Sequence, residues 1–152
     1  MVDVVSPEVR SRMMAGIRNR NTKPELLLRR LLHKKGFRYR LHSGSVPGHP
    51  DMVFPKHGAV LFAHGCFWHG HHCHLFRWPT TRSEFWKEKI GRNRARDVIV
   101  RRQLKKSGWR VLTVWECALK GRARISTNDL VKRCASWLRS TRAIGEIEGK
   151  TL

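Results

Sequence analysis

The sequence predicts an α/β protein in which helices pack around a mixed β-sheet. Three observations carry that expectation. The spacing of apolar residues switches along the chain from the three-and-four period of a helix to strand alternation, and later back again. The strand-like runs are short and bounded by Gly- and Pro-containing turns. Their order, helix, three strands, helix, strand, helix, suits a sheet sandwiched between helices.

Ser6-Pro7 opens a short helical arm in which Arg10, Arg12, Arg18 and Arg20 surround Met13, Met14 and Ile17. So small an apolar face cannot make core, so residues 1–20 are expected to lie on a partner. Thr22-Lys23-Pro24-Glu25 reads as a capping box, followed by the core face Leu26, Leu27, Leu28, Leu31 and Leu32. Gly36 ends that helix. Phe37 to Leu41 alternates apolar and basic residues as a half-buried strand does. A turn-rich stretch leads to a strand at 51–54, and the 55–58 turn returns the chain as the apolar strand 59–64. Residues 65–82 form a long loop of His, Cys, Trp and Phe, and loops of that length are usually functional. Ser83 is expected to cap a helix reaching about Ser107, with a break near Gly91. A strand at 109–115, a helix at 128–141 and a loose tail over about 142–152 complete a single domain of 152 residues.

Composition narrows the partners. Thirty-two Lys and Arg against eleven Asp and Glu leave a net charge of +21, spread along the chain. Self-repulsion on that scale disfavours compaction unless a polyanion neutralises it, and nucleic acid is the common one. No stretch approaches the roughly 18 to 20 apolar residues of a membrane span. The N-terminus has no apolar signal-peptide core. A cytoplasmic setting and no membrane partner are expected, and reduced Cys66, Cys73, Cys117 and Cys134 then read as metal ligands or buried thiols.

Three constellations can carry chemistry. If 51–54 and 59–64 pair antiparallel, Asp51 lies beside the end of the second strand. A carboxylate near a strand-end carbonyl is a hard-oxygen site suited to Mg2+ and to phosphodiester cleavage. An Asp after a turn also often does no more than cap it. The second constellation is His64-Gly65-Cys66-Phe67-Trp68-His69-Gly70-His71-His72-Cys73-His74. His71 and Cys73 supply two soft ligands for a structural Zn2+, with Cys117 and Asp97 as the plausible remaining pair. Spacing does not rank Asp97 above Cys66, His69 or His74. His64 and His69 are then available for proton transfer, and the residues alone do not choose between them. The third is aromatic. Phe67, Trp68, Trp78 and Trp86 flank the loop among Arg77, Arg82, Lys87 and Lys89, and apolar wedges in basic surroundings unstack base pairs. Trp109, Trp115 and Trp137 fall on strand and helix patterns and are expected in the core.

With these residues in view, the segments NTKPE, PGHPDMVF, VLFAHGCFWHGHHC, TRSEFWKEKIGRN and GWRVLTVWECALKGR resemble the very-short-patch-repair (Vsr) mismatch endonucleases over about residues 3–125. The resemblance implies a fold akin to type II restriction endonucleases, with a modified active site. The positions that carry Glu-x-Lys in the common restriction pattern are here Phe62-Ala63-His64. By resemblance, Asp51 and the backbone carbonyl of Ala63 bind Mg2+, and His69 is the general base. His64 contacts the phosphate or stabilises charge. Glu25 holds a water on the metal or orients His69, though a capping role explains it equally well. Zn2+ is held by His71, Cys73, Asp97 and Cys117. Phe67, Trp68 and Trp86 enter the base stack, Met14 and Ile17 approach from the other groove, and Lys89 and Asn93 read bases. Some members carry Thr at position 63. If the hydroxyl mattered there, Ala63 would alter metal affinity.

The implied substrate is duplex DNA with a T:G mismatch left by deamination of 5-methylcytosine. The implied reaction is a nick 5′ of that T, in a sequence context shared with a companion cytosine methyltransferase. A monomer that is nucleoid-associated when bound is expected, with a functional link to mismatch-repair proteins. Two other classes fit less of the sequence. A zinc-stabilised, non-catalytic DNA-binding module leaves Asp51, His64 and His69 unexplained. A restriction endonuclease cutting both strands usually requires dimer symmetry, and no strong apolar interface is legible.

Overall fold

The computed structural model describes residues 22–41 and 43–152; the arm expected at 1–20, with Met14 and Ile17, lies outside the described residues. Helix α1 (Lys23–Lys34) begins where sequence chemistry places it. Extended Thr22 accepts a hydrogen bond from the Glu25 amide at 3.4 Å, and Pro24 occupies the first turn. It ends at Gly36, whose φ of +103° favours glycine. Gly36 N–H donates to the His33 carbonyl and Phe37 N–H to the Leu32 carbonyl, the paired bonds of a Schellman ending. Because the Phe37 amide is committed to that helix end, strand β1 is only Arg40–Leu41 and not 37–41.

Strand β2 (Met52–Phe54) pairs antiparallel with β1 and with β3 (Ala59–His64), joined by a 3-10 turn at Pro55–His57 and left-handed Gly58. Helix α2 (Ser83–Lys106) then crosses over to β4 (Arg110–Trp115), parallel to β3. Helix α3 (Thr127–Arg139), capped by the Ser126 hydroxyl, leads to β5 (Ile144–Ile147), parallel to β4. The sheet runs β1-β2-β3-β4-β5 in order. Two expectations are corrected here. The tail at about 142–152 is not loose, because β5 adds a fifth strand to the sheet. Helix α2 passes through exposed Gly91 unbroken, and Ser83 is its first residue, with Arg82 at the cap position.

Period-two alternation sorts the core into two layers. Met52, Phe54, Leu61, Leu112 and Val114 face α1 and α3, meeting Leu28, Leu32, Leu130 and Leu138. Val53, Val60, Phe62 and Val111 face the other way, meeting Leu104 of α2. Trp137 and Trp115 are buried, and Trp109 packs partly buried on the α2 side. Helix α2 buries only Ile90 and Leu104, which leaves its Lys and Arg residues largely to solvent. Among the described residues, no helix is long and apolar enough to cross a membrane.

One guanidinium closes the end of the sheet opposite the His/Cys loop. Arg110, at the start of β4, donates to the carbonyls of His57, Trp137, Leu138 and Arg142, and lies 4.6 Å above the Trp137 ring. It thereby satisfies carbonyls that the end of α3 leaves open. Arg110→Ala should lower unfolding stability by about 2–3 kcal/mol, the scale of a charged donor lost from several acceptors. Urea denaturation measures this, and an unchanged midpoint would show that water replaces the guanidinium at no cost.

Candidate active site and metal centre

Parallel register decides which cysteines meet. His64 of β3 pairs with Trp115 of β4, so Cys66 and Cys117, each two residues further on, emerge side by side. The Cys117 amide donates to Cys66 Sγ at 3.3 Å. The loop then turns back, with the His71 N–H donating to the Cys66 carbonyl at 2.9 Å. One donor atom from each of Cys66, His71, Cys73 and Cys117 lies within 4.8 Å of the others. His71 Nδ1 sits 3.6 Å from Cys66 Sγ and 3.7 Å from Cys117 Sγ. Tetrahedral zinc with ordinary Zn–S and Zn–N bonds requires an S···N edge of about 3.6 Å. Burial pushes the Cys66 and Cys117 thiols up, so thiolates here need a nearby cation. The donor set therefore fits a soft tetrahedral metal.

This corrects the expected ligand set. Asp97 does not join His71, Cys73 and Cys117; Cys66 takes that place. Asp97 lies on α2, where its carboxylate bonds His69 Nδ1 at 2.7 Å. The pairing was hidden because parallel register between β3 and β4 cannot be counted from residue spacing.

Between the sheet and α2 lies a cleft of about 550 Å³, lined by Asp51, Ala63, His64, His69, Asn93 and Asp97 among others. Asp51 stands at the start of β2 and accepts the Ala63 amide at 2.6 Å. It is this N–H of residue 63 that the structure shows against Asp51. Glu25 reaches the same carboxyl from α1; it is 1% exposed and pairs with Arg29 at 2.7 Å. Burial first, and then the Glu25 carboxyl beside it, push Asp51 up to about 8. Two carboxyls held together away from water call for a proton or a cation between them, and hard oxygen donors suit Mg2+. Glu25 thus joins its place in the first turn of α1 to a contact with Asp51.

His64 and His69 stack with centroids 3.7 Å apart and planes within 4°. Burial, reinforced by His69, lowers His64 to about 3, leaving it a neutral imidazole. His64, His69 and Asp97 also bring one donor atom each within 4.8 Å of one another.

Beside the cleft, Phe67, Trp68 and Trp86 pack on one another with centroids 5.3 to 5.8 Å apart. Asn93 donates to the Trp68 carbonyl at 2.9 Å, which ties the loop to α2. Lys89 is half-buried one turn earlier on that helix, and Trp78 and Phe85 extend the aromatic surface outward. Sequence reasoning did not connect Asp97 with His69, and it omitted Arg101 and buried Thr113 from the cleft. A signal was present. Ile90, Asn93, Asp97, Val100 and Leu104 recur at helical spacing, so two polar residues interrupt the stripe that faces the sheet.

A close carboxyl pair, a His–Asp pair and a Cys/His cluster able to hold a metal, all on one mixed sheet, suit a hydrolase-type site with a second, separate centre. The family model described as DNA mismatch endonuclease Vsr matches residues 2–75. The DNA mismatch endonuclease Vsr of Escherichia coli (strain K12) is 45% identical over 148 residues, spanning 97% of this chain and 95% of that protein. The type II nicking enzyme V.XorIIP of Xanthomonas oryzae pv. oryzae is 50% identical over 119 residues, 78% of this chain and 88% of that one. The type II nicking enzyme V.NmeAIP of Neisseria meningitidis is 42% identical over 134 residues, 87% and 96% respectively. The chain belongs to the Vsr family.

The two centres make separable predictions. Cys66→Ala should abolish tight metal retention and lower the melting temperature by several degrees, while Asp97→Ala should leave metal content unchanged. Elemental analysis of the purified variants tests this. Loss of metal from the Asp97 variant alone would restore Asp97 as the ligand.

Proposed function

We propose that this protein is a DNA mismatch endonuclease. It nicks one strand of duplex DNA 5′ of the T in a T:G pair, within a preferred sequence context. It thereby starts very short patch repair of deaminated 5-methylcytosine. The observation that carries the reading is the convergence of Asp51, backed by Glu25, and the His69–Asp97 pair in one cleft beside three mutually packed aromatic rings. The net charge of +21 supports a polyanionic substrate, and the names of the relatives support nicking at mismatches.

On this reading, Asp51 and the Ala63 carbonyl hold Mg2+, which when bound supplies Lewis acidity at the scissile phosphate. Asp97 engages Nδ1 of His69, so Nε2 is the nitrogen available to take a proton from attacking water. His64 stacks on His69, fixes the plane of that ring and contacts the phosphate as a neutral group. Glu25 holds the Asp51 carboxyl in place from α1, where Arg29 balances its charge. Cys66, His71, Cys73 and Cys117 hold Zn2+ and take no part in the chemistry. Phe67, Trp68 and Trp86 leave their mutual packing to enter the base stack, at an unstacking cost that is least at a mismatch. Lys89 and Asn93 face the bases from α2. The protein works as a monomer alongside a cytosine methyltransferase and mismatch-repair proteins.

Strand-specific cleavage of a labelled T:G duplex, with a T:A duplex as control, tests the function. A Mg2+-dependent nick 5′ of T, absent from T:A, is the expected result. Asp51→Ala should abolish that nick yet keep mismatch binding, and His69→Ala should slow it about 10²- to 10⁴-fold. Double-strand cleavage of the T:A duplex would point to a restriction enzyme, and binding without cleavage in every context to a DNA-binding module.

Trp68→Ala should reduce discrimination between T:G and T:A duplexes more than it reduces total affinity. Titrations of both duplexes measure the ratio, and equal losses on each would remove the wedge role.

A further inference from the structure

The C-terminal strand carries carboxylates that the reaction does not use. Glu146 and Glu148 alternate with inward-facing Gly145 and Ile147, so both stand on one face of β5 and its extension. Glu146 Oε1 accepts from Trp115 Nε1 at 3.1 Å, and Glu148 Oε2 lies 2.9 Å from His71 Nε2. Their two partner rings are themselves stacked, with centroids 4.1 Å apart and planes within 14°. One residue on, the Gly149 amide donates to Cys117 Sγ at 3.3 Å. A Cβ at Gly149 would come within 2.5 Å of the Cys117 carbonyl oxygen and 2.7 Å of that of Ala123. The Lys150 amide then closes onto the Ala123 carbonyl at 2.7 Å.

The two nitrogens of His71 are therefore divided. Nδ1 faces the sulfurs of Cys66 and Cys117, and Nε2 faces Glu148. A carboxylate on the outer nitrogen of a ligating imidazole fixes its tautomer, aims the inner lone pair and raises its basicity. An amide donating to a cysteine sulfur likewise stabilises the thiolate. We propose that Glu148 is a positioning residue for the metal centre, and that β5 with residues 148–150 forms a clasp whose docking is coupled to metal binding. The proposal rests on reading Cys66, His71, Cys73 and Cys117 as a zinc-type site.

Coupling follows from linkage. The clasp contacts the ligands themselves, so ordering the clasp tightens the metal, and the metal by the same free energy orders the clasp. Glu148 is 60% exposed, and water screens part of its effect, so the change expected on its removal lies at the lower end of the range for such partners.

The test uses the full chain. Zinc content is measured first, followed by zinc affinity and release rate against a chromogenic chelator. Wild-type protein should carry one zinc. Glu148→Ala should weaken zinc about tenfold. Glu148→Gln can still accept from Nε2–H and should recover much of that loss. Glu146→Ala, which frees Trp115 and leaves the ligand untouched, should lower the melting temperature with little effect on zinc affinity. Removal of zinc should speed hydrogen exchange at the amides of 144–150 more than in α1.

Wild-type protein without zinc would overturn the metal centre, and this proposal with it. Equal zinc affinity in wild type and the Glu148→Ala variant would overturn the proposal alone. Equal weakening by Glu146→Ala and Glu148→Ala would assign the effect to strand docking and overturn the role of the carboxylate.

Discussion

The structure depends on the convergence of three cysteine sulfurs and one imidazole at the open end of the sheet. Residues 65–82 contain no regular strand or helix, so the hydrogen-bond ladders that fix β3 and β4 cannot hold them. The cluster supplies that constraint by drawing in the loop through Cys66, His71 and Cys73 and joining it to the end of β4 through Cys117. His64 and His69 alternate in sequence with those cluster residues. Any looseness at Cys66 or His71 passes directly to His69, which lies between them and sets the cleft. A core of this size fixes strands well but has little grip on an irregular loop, and a metal held by the cluster would substitute a few strong local bonds for apolar burial there.

The acidic residues show the same economy. The chain has eleven carboxylates against thirty-two Lys and Arg, and while Glu84, Glu88 and Asp129 pair with exposed basic side chains, six others are placed at the cleft and the Cys/His cluster. Asp51 and Asp97 line the cleft, and Glu25 pairs with Asp51 from α1. Glu116 accepts the Cys66 amide, and Glu146 and Glu148 hold the Trp115–His71 stack. Surface ion pairs contribute little to stability, so leaving the exterior basic costs the fold little and preserves its attraction to phosphate. The same carboxylates placed among the exposed arginines would weaken that attraction and organise nothing.

Much of this was legible from the residues. Capping chemistry at Thr22 and Gly36, the apolar runs of β3 and β4, and the density of His and Cys in the loop are local signals, and they marked the elements and a cluster able to hold a metal. What failed was non-local. Asp97 and Cys66 offered comparable chemistry to His71 and Cys73, and only the β3–β4 register brings Cys66 to Cys117 while α2 carries Asp97 to His69. The C-terminal segment failed for a related reason. Ile144-Gly145-Glu146-Ile147 is short, carries a glycine and has weak alternation, so its strand character comes from the exposed edge of β4 and not from its own propensity. Phe37 was misplaced by one competing bond, because an amide used to end a helix cannot also start a strand.

The aromatic cluster links these constraints to recognition. Phe67, Trp68 and Trp86 are half-buried against each other, so the free protein does not leave three wedges wholly in water. In the proposed mode of binding, their release into a base stack would exchange ring–ring contact for ring–base contact, two interactions of similar kind and strength. The balance is then set by the DNA. A well-stacked pair resists opening by a few kcal/mol, and a mismatch resists less, so a nearly neutral protein-side exchange lets that difference appear in binding. The anchor for the exchange is already present, since Asn93 holds the Trp68 carbonyl to α2 one turn from Asp97. On the proposed reading, ring insertion and placement of the His69 imidazole thus act through one helix. On that reading, a duplex that does not admit the rings should also fail to seat its phosphate over His69.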